Sequence, residues 1–191
     1  LIETKKDSEW LSRLYNNLGI IYDGLGDRPQ AMSWLLKQLE LSQGLGDRQQ
    51  EATALHDLGF LTHDPEQSRS YFQQALEMFR AVGDNWGVAL ANINLAEGYL
   101  KQGNYQEALR HAHEAIAIDA REGEALEKAY STHTLGNIYA AQQNFTQALS
   151  YYHQSLQLTR EGMGEGSLEP NLLLCIGNAY QAMGDMERAL F

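Results

Sequence analysis

Histidine is the residue type in this chain that could most readily bind a metal ion, but its spacing argues against such a site. The six histidines are His56, His63, His111, His113, His133 and His153. A helical metal site typically pairs two histidines four residues apart. His111 and His113 are two apart and therefore point to different sides of a helix. The histidines are interpreted as polar surface residues, and no metal site is predicted.

Two other features have only weak chemical potential. Residues 162–166, Gly-Met-Gly-Glu-Gly, contain the glycines of a phosphate loop but carry an acid and no lysine, so they are interpreted as a turn. Cys175, the single cysteine, lies between Leu174 and Ile176 and is interpreted as a small packing residue. The sequence has no G-x-S-x-G or HExxH motif. We therefore predict no catalytic residues and no cofactor, and expect a protein that is not an enzyme.

The composition restricts the partners that this chain can bind. The 191 residues include 25 acidic and 14 basic side chains, which gives a formal net charge of −11. Nucleic acids and anionic membranes both require a basic surface, so neither is predicted as a partner, and a neutral or basic protein is favoured. No apolar stretch approaches the length of a membrane span, and one cysteine allows no internal disulfide. These features favour a cytoplasmic location.

One six-residue motif, called the repeat phrase below, occurs five times along the chain. It reads NLGIIY from residue 17, DLGFLT from 57, NLAEGY from 94, TLGNIY from 134 and CIGNAY from 175. Its central small residue falls at positions 19, 59, 96, 136 and 177, which are 40, 37, 40 and 41 residues apart. A small residue follows in each unit (Ala31, Ser68, Ala108, Ala148, Ala189). In the first four units a larger residue (Leu35, Phe72, Tyr152, but Ala112) and often a second small one (Ala75, Ala115, Ser155, but Gln38) come after it.

This spacing predicts two amphipathic helices in each unit. Apolar residues recur at i, i+3, i+4 and i+7, and a small residue where the helices cross lets them approach closely. Glycine suits the left-handed residue that ends a helix, and the Asp or Asn after it suits the next N-cap. Five pairs have this pattern: Gly26-Asp27, Gly46-Asp47, Gly83-Asp84, Gly103-Asn104 and Gly184-Asp185.

The recurring residues resemble the tetratricopeptide repeat (TPR) pattern of Leu-Gly-x-x-Tyr, then Ala, an aromatic and Ala. The period near 40 is similar to the longer repeats of the Leu-Gly-Asn spindle scaffold, kinesin light chain and many bacterial regulators. The resemblance implies an all-α, right-handed α-α superhelix of about four and a half helix-turn-helix repeats. We expect a single array, with repeats at approximately 8–46, 47–83, 84–122, 123–164 and 167–191, the last one incomplete.

The resemblance also implies that the first helix of each repeat lines a concave groove. The predicted groove residues are Arg13, Asn16, Asn17, Ile20, His56, Asp57, Phe60, Ile93, Asn94, Glu97, His133, Asn137 and Asn178. The asparagines among them either bond a bound peptide backbone or brace neighbouring repeats. Arg13 is the only cation of the set, which argues against a clamp for a C-terminal carboxylate. Apolar groove residues beside amides favour a peptide with apolar anchors.

We therefore predict a protein–protein interaction module within a larger regulator or scaffold. One alternative is a sensory domain that binds a small ligand or peptide and controls a linked effector. Another is self-assembly, because the chain starts and stops inside repeats and has no polar caps. On that view it is a fragment of a longer protein or a homo-oligomer, with uncovered apolar surface around Ile176, Tyr180 and Met183.

Overall fold

The computed structural model describes residues 2–162 and 168–189, and the regular elements in those ranges are all α-helices. They are α1 (Ile2–Gly24), α2 (Arg28–Leu45), α3 (Arg48–Leu61), α4 (Pro65–Val82), α5 (Asn85–Lys101), α6 (Tyr105–Glu122), α7 (Ala125–Ala141), α8 (Phe145–Glu161), α9 (Glu169–Ala182) and α10 (Met186–Ala189). The all-α class and the helix pairs are thus confirmed. The turn predicted at 162–166 lies outside the described residues beyond Gly162.

The five predicted Gly-Asp and Gly-Asn turns have the expected backbone, with positive φ at each glycine. Gly26 and Gly83 adopt left-handed backbone with φ of 78° and 76°, and the carboxylates of Asp27 and Asp84 then accept from the amides of residues 30 and 87. One further turn with a left-handed residue was not predicted from its sequence. Gln143 adopts φ 60° there at the cost that a side chain incurs in this region.

The chain divides into two compact units, Leu1–Ala91 and Asn92–Phe191. In the first unit α1 packs on α2, α2 on α3 and α3 on α4, and α1 also contacts α3. A buried core of Ala31, Leu35, Leu58 and Leu61 holds these helices together. The repeat boundaries stay a prediction.

The second unit has the same successive packing. Helix α6 packs on α7, α7 on α8, α8 on α9 and α9 on α10. One buried cluster centres on Leu135 and Ile138, and another on Tyr152 and Leu172. No helix in the described ranges is both long and apolar enough to cross a bilayer.

The central small residue of the repeat phrase contacts the larger residue of the second helix, which agrees with the predicted close crossing. A Cβ added to the glycine would lie 2.5–2.7 Å from a side-chain carbon of its partner in three repeats: Gly19 with Leu35, Gly59 with Phe72 and Gly136 with Tyr152. The third repeat differs at both positions. There the phrase has Ala96 and the second helix has Ala112, and both are fully buried in one cluster. A larger residue on one helix is thus offset by a smaller one on the other.

The uncovered apolar surface expected near the last repeat is only partly present. Ile176 is 8% exposed and packs with Leu172 and Ala179, so the expectation is wrong for this residue. Its side chain turns into the cluster that α8 and α9 share. Tyr180 is half-buried, whereas Met183 is exposed.

Candidate functional site

In the first unit, a polar network joins the two neighbouring first helices, α1 and α3. The Asn16 amide donates to Asp57 Oδ2 at 2.7 Å and to Gln38 Oε1 at 3.3 Å. Gln38, which is fully buried, donates in turn to Gln50 Oε1 at 3.4 Å. Asn16 and Asp57 therefore bond to each other across the helices. Gln38 was not predicted as part of the site, although its departure from the small-residue pattern was a signal.

His56 lies beneath this network and is buried. Its ring meets the rings of Phe60, Phe72 and Phe79 at centroid distances of 5.0, 5.5 and 6.3 Å. Its Nδ1 lies 3.3 Å from Asp57 Oδ1. Half-buried Asp57 thus has one carboxylate oxygen against Asn16 and the other against His56.

Four predicted groove residues of the first unit are exposed. Ile20 and Phe60 are 59% and 55% exposed, so both present apolar surface to solvent. Arg13 and Asn17 are exposed beside them on α1. The Phe60 ring stands edge-on to Phe72, with centroids 5.4 Å apart and an interplanar angle of 86°.

A pocket of about 170 Å³ opens between α1, α2 and α3. Of the predicted groove residues, Ile20, Asp57 and Phe60 line it. The other lining residues were not predicted from the sequence and are Gly19, Asp23, Leu35 and Leu61. They could not be grouped from sequence because the pocket needs three helices at their final spacing.

In the second unit, the predicted residues on α5 are less accessible. Asn94 is buried, and Ile93 and Glu97 are half-buried. Burial raises the pKa of Glu97, and the nearby Lys101 only partly offsets this rise. The neighbouring Asn92, which was not predicted, is fully buried with its Oδ1 2.7 Å from His111 Nδ1.

Side chains from α7, α8 and α9 form a second polar cluster. Tyr152 donates its hydroxyl to Asn137 Oδ1 at 3.0 Å, and Cys175 Sγ lies 3.9 Å from His133 Nε2. Burial raises the pKa of the Cys175 thiol and lowers that of the His133 imidazole. Both shifts disfavour the thiolate–imidazolium pair of an activated nucleophile.

The exposed side of α9 contains the last predicted residue. Asn178 is exposed, and so is Leu174, at 62%. Leu174 thus resembles Ile20 and Phe60, as an accessible apolar side chain on the first helix of a pair. Leu174 therefore gives the second unit an exposed apolar residue equivalent to Ile20 and Phe60 of the first unit.

The interpretation of the histidines as surface residues is wrong for three of the six. His56, His111 and His133 are buried, and each packs against an aromatic ring, His111 for instance stacking on Tyr99 at 5.5 Å. Their rings fill core volume while a ring nitrogen keeps a polar partner. Within the described ranges, no three His, Cys, Asp or Glu side chains converge as metal ligands would.

One carboxyl group in the second unit is buried away from the candidate surfaces. Asp119, near the end of α6, is 3% exposed. Its Oδ2 and the Oε2 of Glu127 find no hydrogen-bond partner within the residues that the structure describes. Burial raises the pKa of Asp119, a hydrogen bond from Ser131 lowers it, and the Glu127 carboxylate raises it again.

Consecutive helix pairs, close crossings at a small residue and exposed apolar groups on first helices define an α-helical repeat protein. The sequence model of the tetratricopeptide repeat matches residues 10–81, 60–121, 87–161 and 126–190. The chain therefore belongs to the tetratricopeptide repeat family, whose solenoids are protein–protein interaction modules.

The chain is similar to several known proteins. The regulatory protein AfsR of Streptomyces griseus is 27% identical over 183 residues, a match that covers 81% of this chain but only 18% of AfsR. BtubC (BKLC) of P. vanneervenii has a similar structure, with a TM-score of 0.81, 19% identity and coverage of 98% of this chain and 83% of that one. A Rap protein in complex with competence and sporulation factor gives a TM-score of 0.82 at 15% identity, with 94% and 51% covered.

Proposed function

We propose that this chain binds a peptide or protein segment along the exposed surfaces of its first helices. The observation that supports this most is the exposure of Ile20 and Phe60, two large apolar side chains on neighbouring helices. Accessible apolar groups beside free amides and carboxylates are typical of peptide-binding surfaces. In the second unit, Leu174 and Asn178 offer the same combination.

The remaining predicted groove residues have a bracing role in this proposal. Asn16 and Asn137 already bond within the protein, and Asn94, His56 and His133 are buried. They hold the helices that present the exposed residues. Arg13 and Asn17 are exposed and belong to the contact surface, while half-buried Ile93 and Glu97 contribute at its edge.

The partner is a neutral or basic polypeptide, and the role is binding and not catalysis. The net charge of −11 supports the first statement. The likeness to AfsR supports a place within a larger regulator, since the chain spans 18% of that protein. We also propose a cytoplasmic location. Self-assembly is the alternative, and sedimentation would reveal it.

Selection from a display library of random peptides tests the proposal. We expect enriched peptides to lose at least about tenfold in affinity for the Ile20→Ser/Phe60→Ser variant, because both anchors are removed. The matched control is Leu36→Ser/Val82→Ser, which changes two exposed apolar residues on the second helices of the same unit. The proposal fails if both double variants bind alike, or if sedimentation shows only self-association that is indifferent to Ile20 and Phe60.

The second unit allows the same test of peptide affinity on a single helix. Leu174→Ser is the test variant, and Leu173→Ser is its control. Leu173 is also exposed, at 40%, and is the adjacent residue. A peptide that contacts this unit should bind more weakly to the Leu174 variant only.

A further inference from the structure

The pocket of the first unit has a buried apolar floor and an accessible rim. Gly19, Leu35 and Leu61 form the floor and are buried. Ile20 and Phe60 form apolar walls that remain exposed. Gly19 has no side chain, so Leu35 packs directly against the backbone of α1 in this floor. Binding here would bury apolar surface that the folded unit leaves in contact with water.

The volume of the pocket limits what it can hold. At about 170 Å³ it is close to the roughly 150 Å³ of a cavity that accommodates one benzene ring. It is well below the roughly 300–1,000 Å³ of pockets for whole small-molecule ligands. The pocket therefore matches a single Phe, Leu or Met side chain.

The walls of the pocket are held in place before any ligand binds. The Phe60 ring is supported edge-on by both Phe72 and His56. Asp57 is fixed from two sides, by Asn16 and by His56. A preformed pocket loses little side-chain entropy on binding, which favours affinity.

The charge around the pocket determines which residue of the partner can lie next to the bound apolar side chain. Two carboxylates, Asp23 and Asp57, border the pocket, and none of the described lining residues is a lysine or arginine. Asp23 is exposed and has no ion-pair partner among the residues that the structure describes. The local field therefore favours a cation and disfavours an acid beside the bound group.

We infer that this pocket binds one bulky apolar side chain of a partner polypeptide whose adjacent residue is lysine or arginine, the cation facing Asp23. The inference rests on the proposed function and specifies the partner's chemistry at one point of the surface. Asp57 contributes mainly as a fixed negative charge, because both of its oxygens already have partners.

Blocked octapeptides of glycine and serine with two variable central residues test this inference on the full chain. The central pairs are Phe-Lys, Phe-Glu and Ala-Lys, and binding is followed through backbone amide shifts in ¹H–¹⁵N spectra. We expect Phe-Lys to shift the amides of Gly19, Ile20 and Phe60, and the other two peptides to bind at least about threefold more weakly.

Charge reversal at the rim supplies the matched variants. Asp23→Lys should weaken the Phe-Lys peptide by about three- to tenfold and should improve the Phe-Glu peptide. Glu77→Lys makes the same change of charge at an exposed position on α4 and should alter neither affinity. The Asp23 substitution is at the surface, so its fold can be verified independently by its unchanged spectrum elsewhere.

Several results would overturn the inference. They are equal binding of the Phe-Lys and Phe-Glu peptides, amide shifts away from the pocket, no binding of any peptide, or indifference to Asp23→Lys. If display-selected peptides nevertheless require Ile20 and Phe60, the proposed function stands and only the pocket chemistry is wrong. If they do not require them, the proposed function has failed as well.

Discussion

The ring of Tyr152 occupies the space that a side chain on Gly136 would need. A Cβ at position 136 would lie 2.5 Å from both Cδ1 and Cε1 of that ring. The ring is buried, and its hydroxyl donates to Asn137 on the same helix as the glycine. Movement of the ring would therefore disrupt both its packing and its hydrogen bond.

Gly136→Ala should consequently destabilise the protein. We expect a loss of about 1–3 kcal/mol in the free energy of unfolding, because the added methyl group overpacks the crossing. Gly98→Ala is the control, since a Cβ there meets nothing within 4 Å. It should instead stabilise helix α5 by about 0.5–1 kcal/mol. Urea denaturation measures both, and equal effects would contradict the assigned crossing.

In the third repeat, alanine replaces both the glycine and the large residue of the helix crossing. We therefore expect an energetic coupling between Ala96 and Ala112. Ala112→Leu alone should cost about 1–3 kcal/mol, since both alanines are fully buried in one cluster. Adding Ala96→Gly should recover part of that loss by recreating the glycine–leucine pair of the first repeat. A double-mutant cycle should give a favourable coupling of about 0.5–3 kcal/mol. Additive effects would show that the two positions do not share one space.

Variants of Asn16 and Asn17 separate the role of holding helices together from the role of contacting a ligand. Asn16→Ala removes the donor to Asp57 and Gln38 and should destabilise the first unit by about 1–3 kcal/mol. Asn17→Ala changes an exposed amide and should remain within about 0.5 kcal/mol. Thermal unfolding compares the two variants. A peptide affected by Asn17→Ala, with stability unchanged, would assign this residue to the contact surface.

Asp119 predicts a dependence of stability on pH. Because its pKa is raised in the folded protein, the folded state binds more protons there than the unfolded state. Its contribution is therefore most favourable below the ordinary carboxyl pKa and is lost as pH rises through the raised value. Asp119→Asn should be more stable than the wild type by about 1–3 kcal/mol at pH 8, with a smaller gain at pH 4.

Urea denaturation at the two pH values measures this difference. Glu77→Gln, at an exposed acid on α4, is the control and should show no such trend. A gain at Asp119→Asn that did not grow between pH 4 and pH 8 would mean that the carboxyl is not protonated preferentially in the folded state.

The fold was predictable from sequence because its signals are local and repeated. The Gly-Asp and Gly-Asn pairs place the turns through backbone chemistry that needs no tertiary context, as at Gly26-Asp27. The spacing from Gly136 to Tyr152 recurs in other repeats, so the crossing could also be predicted. Gln143 was missed because a non-glycine residue rarely adopts positive φ.

The candidate site was less predictable because accessibility depends on packing. Asn16 and Asn17 are adjacent in sequence, yet one is bonded between helices and the other is exposed. The burial of His56 depends on three phenylalanines from two helices. The pattern of the repeat assigned such residues to a first helix but could not tell which would remain available to a partner.

The pairing of small and large residues also limits how this gene could be rearranged. A second helix carrying Tyr152 fits opposite a glycine, whereas opposite Ala96 it would meet a methyl group. Recombination that exchanged single helices between the third and fourth repeats would therefore join incompatible halves. Exchange of whole helix pairs would keep each match, so the heritable module of this chain is the pair and not the helix.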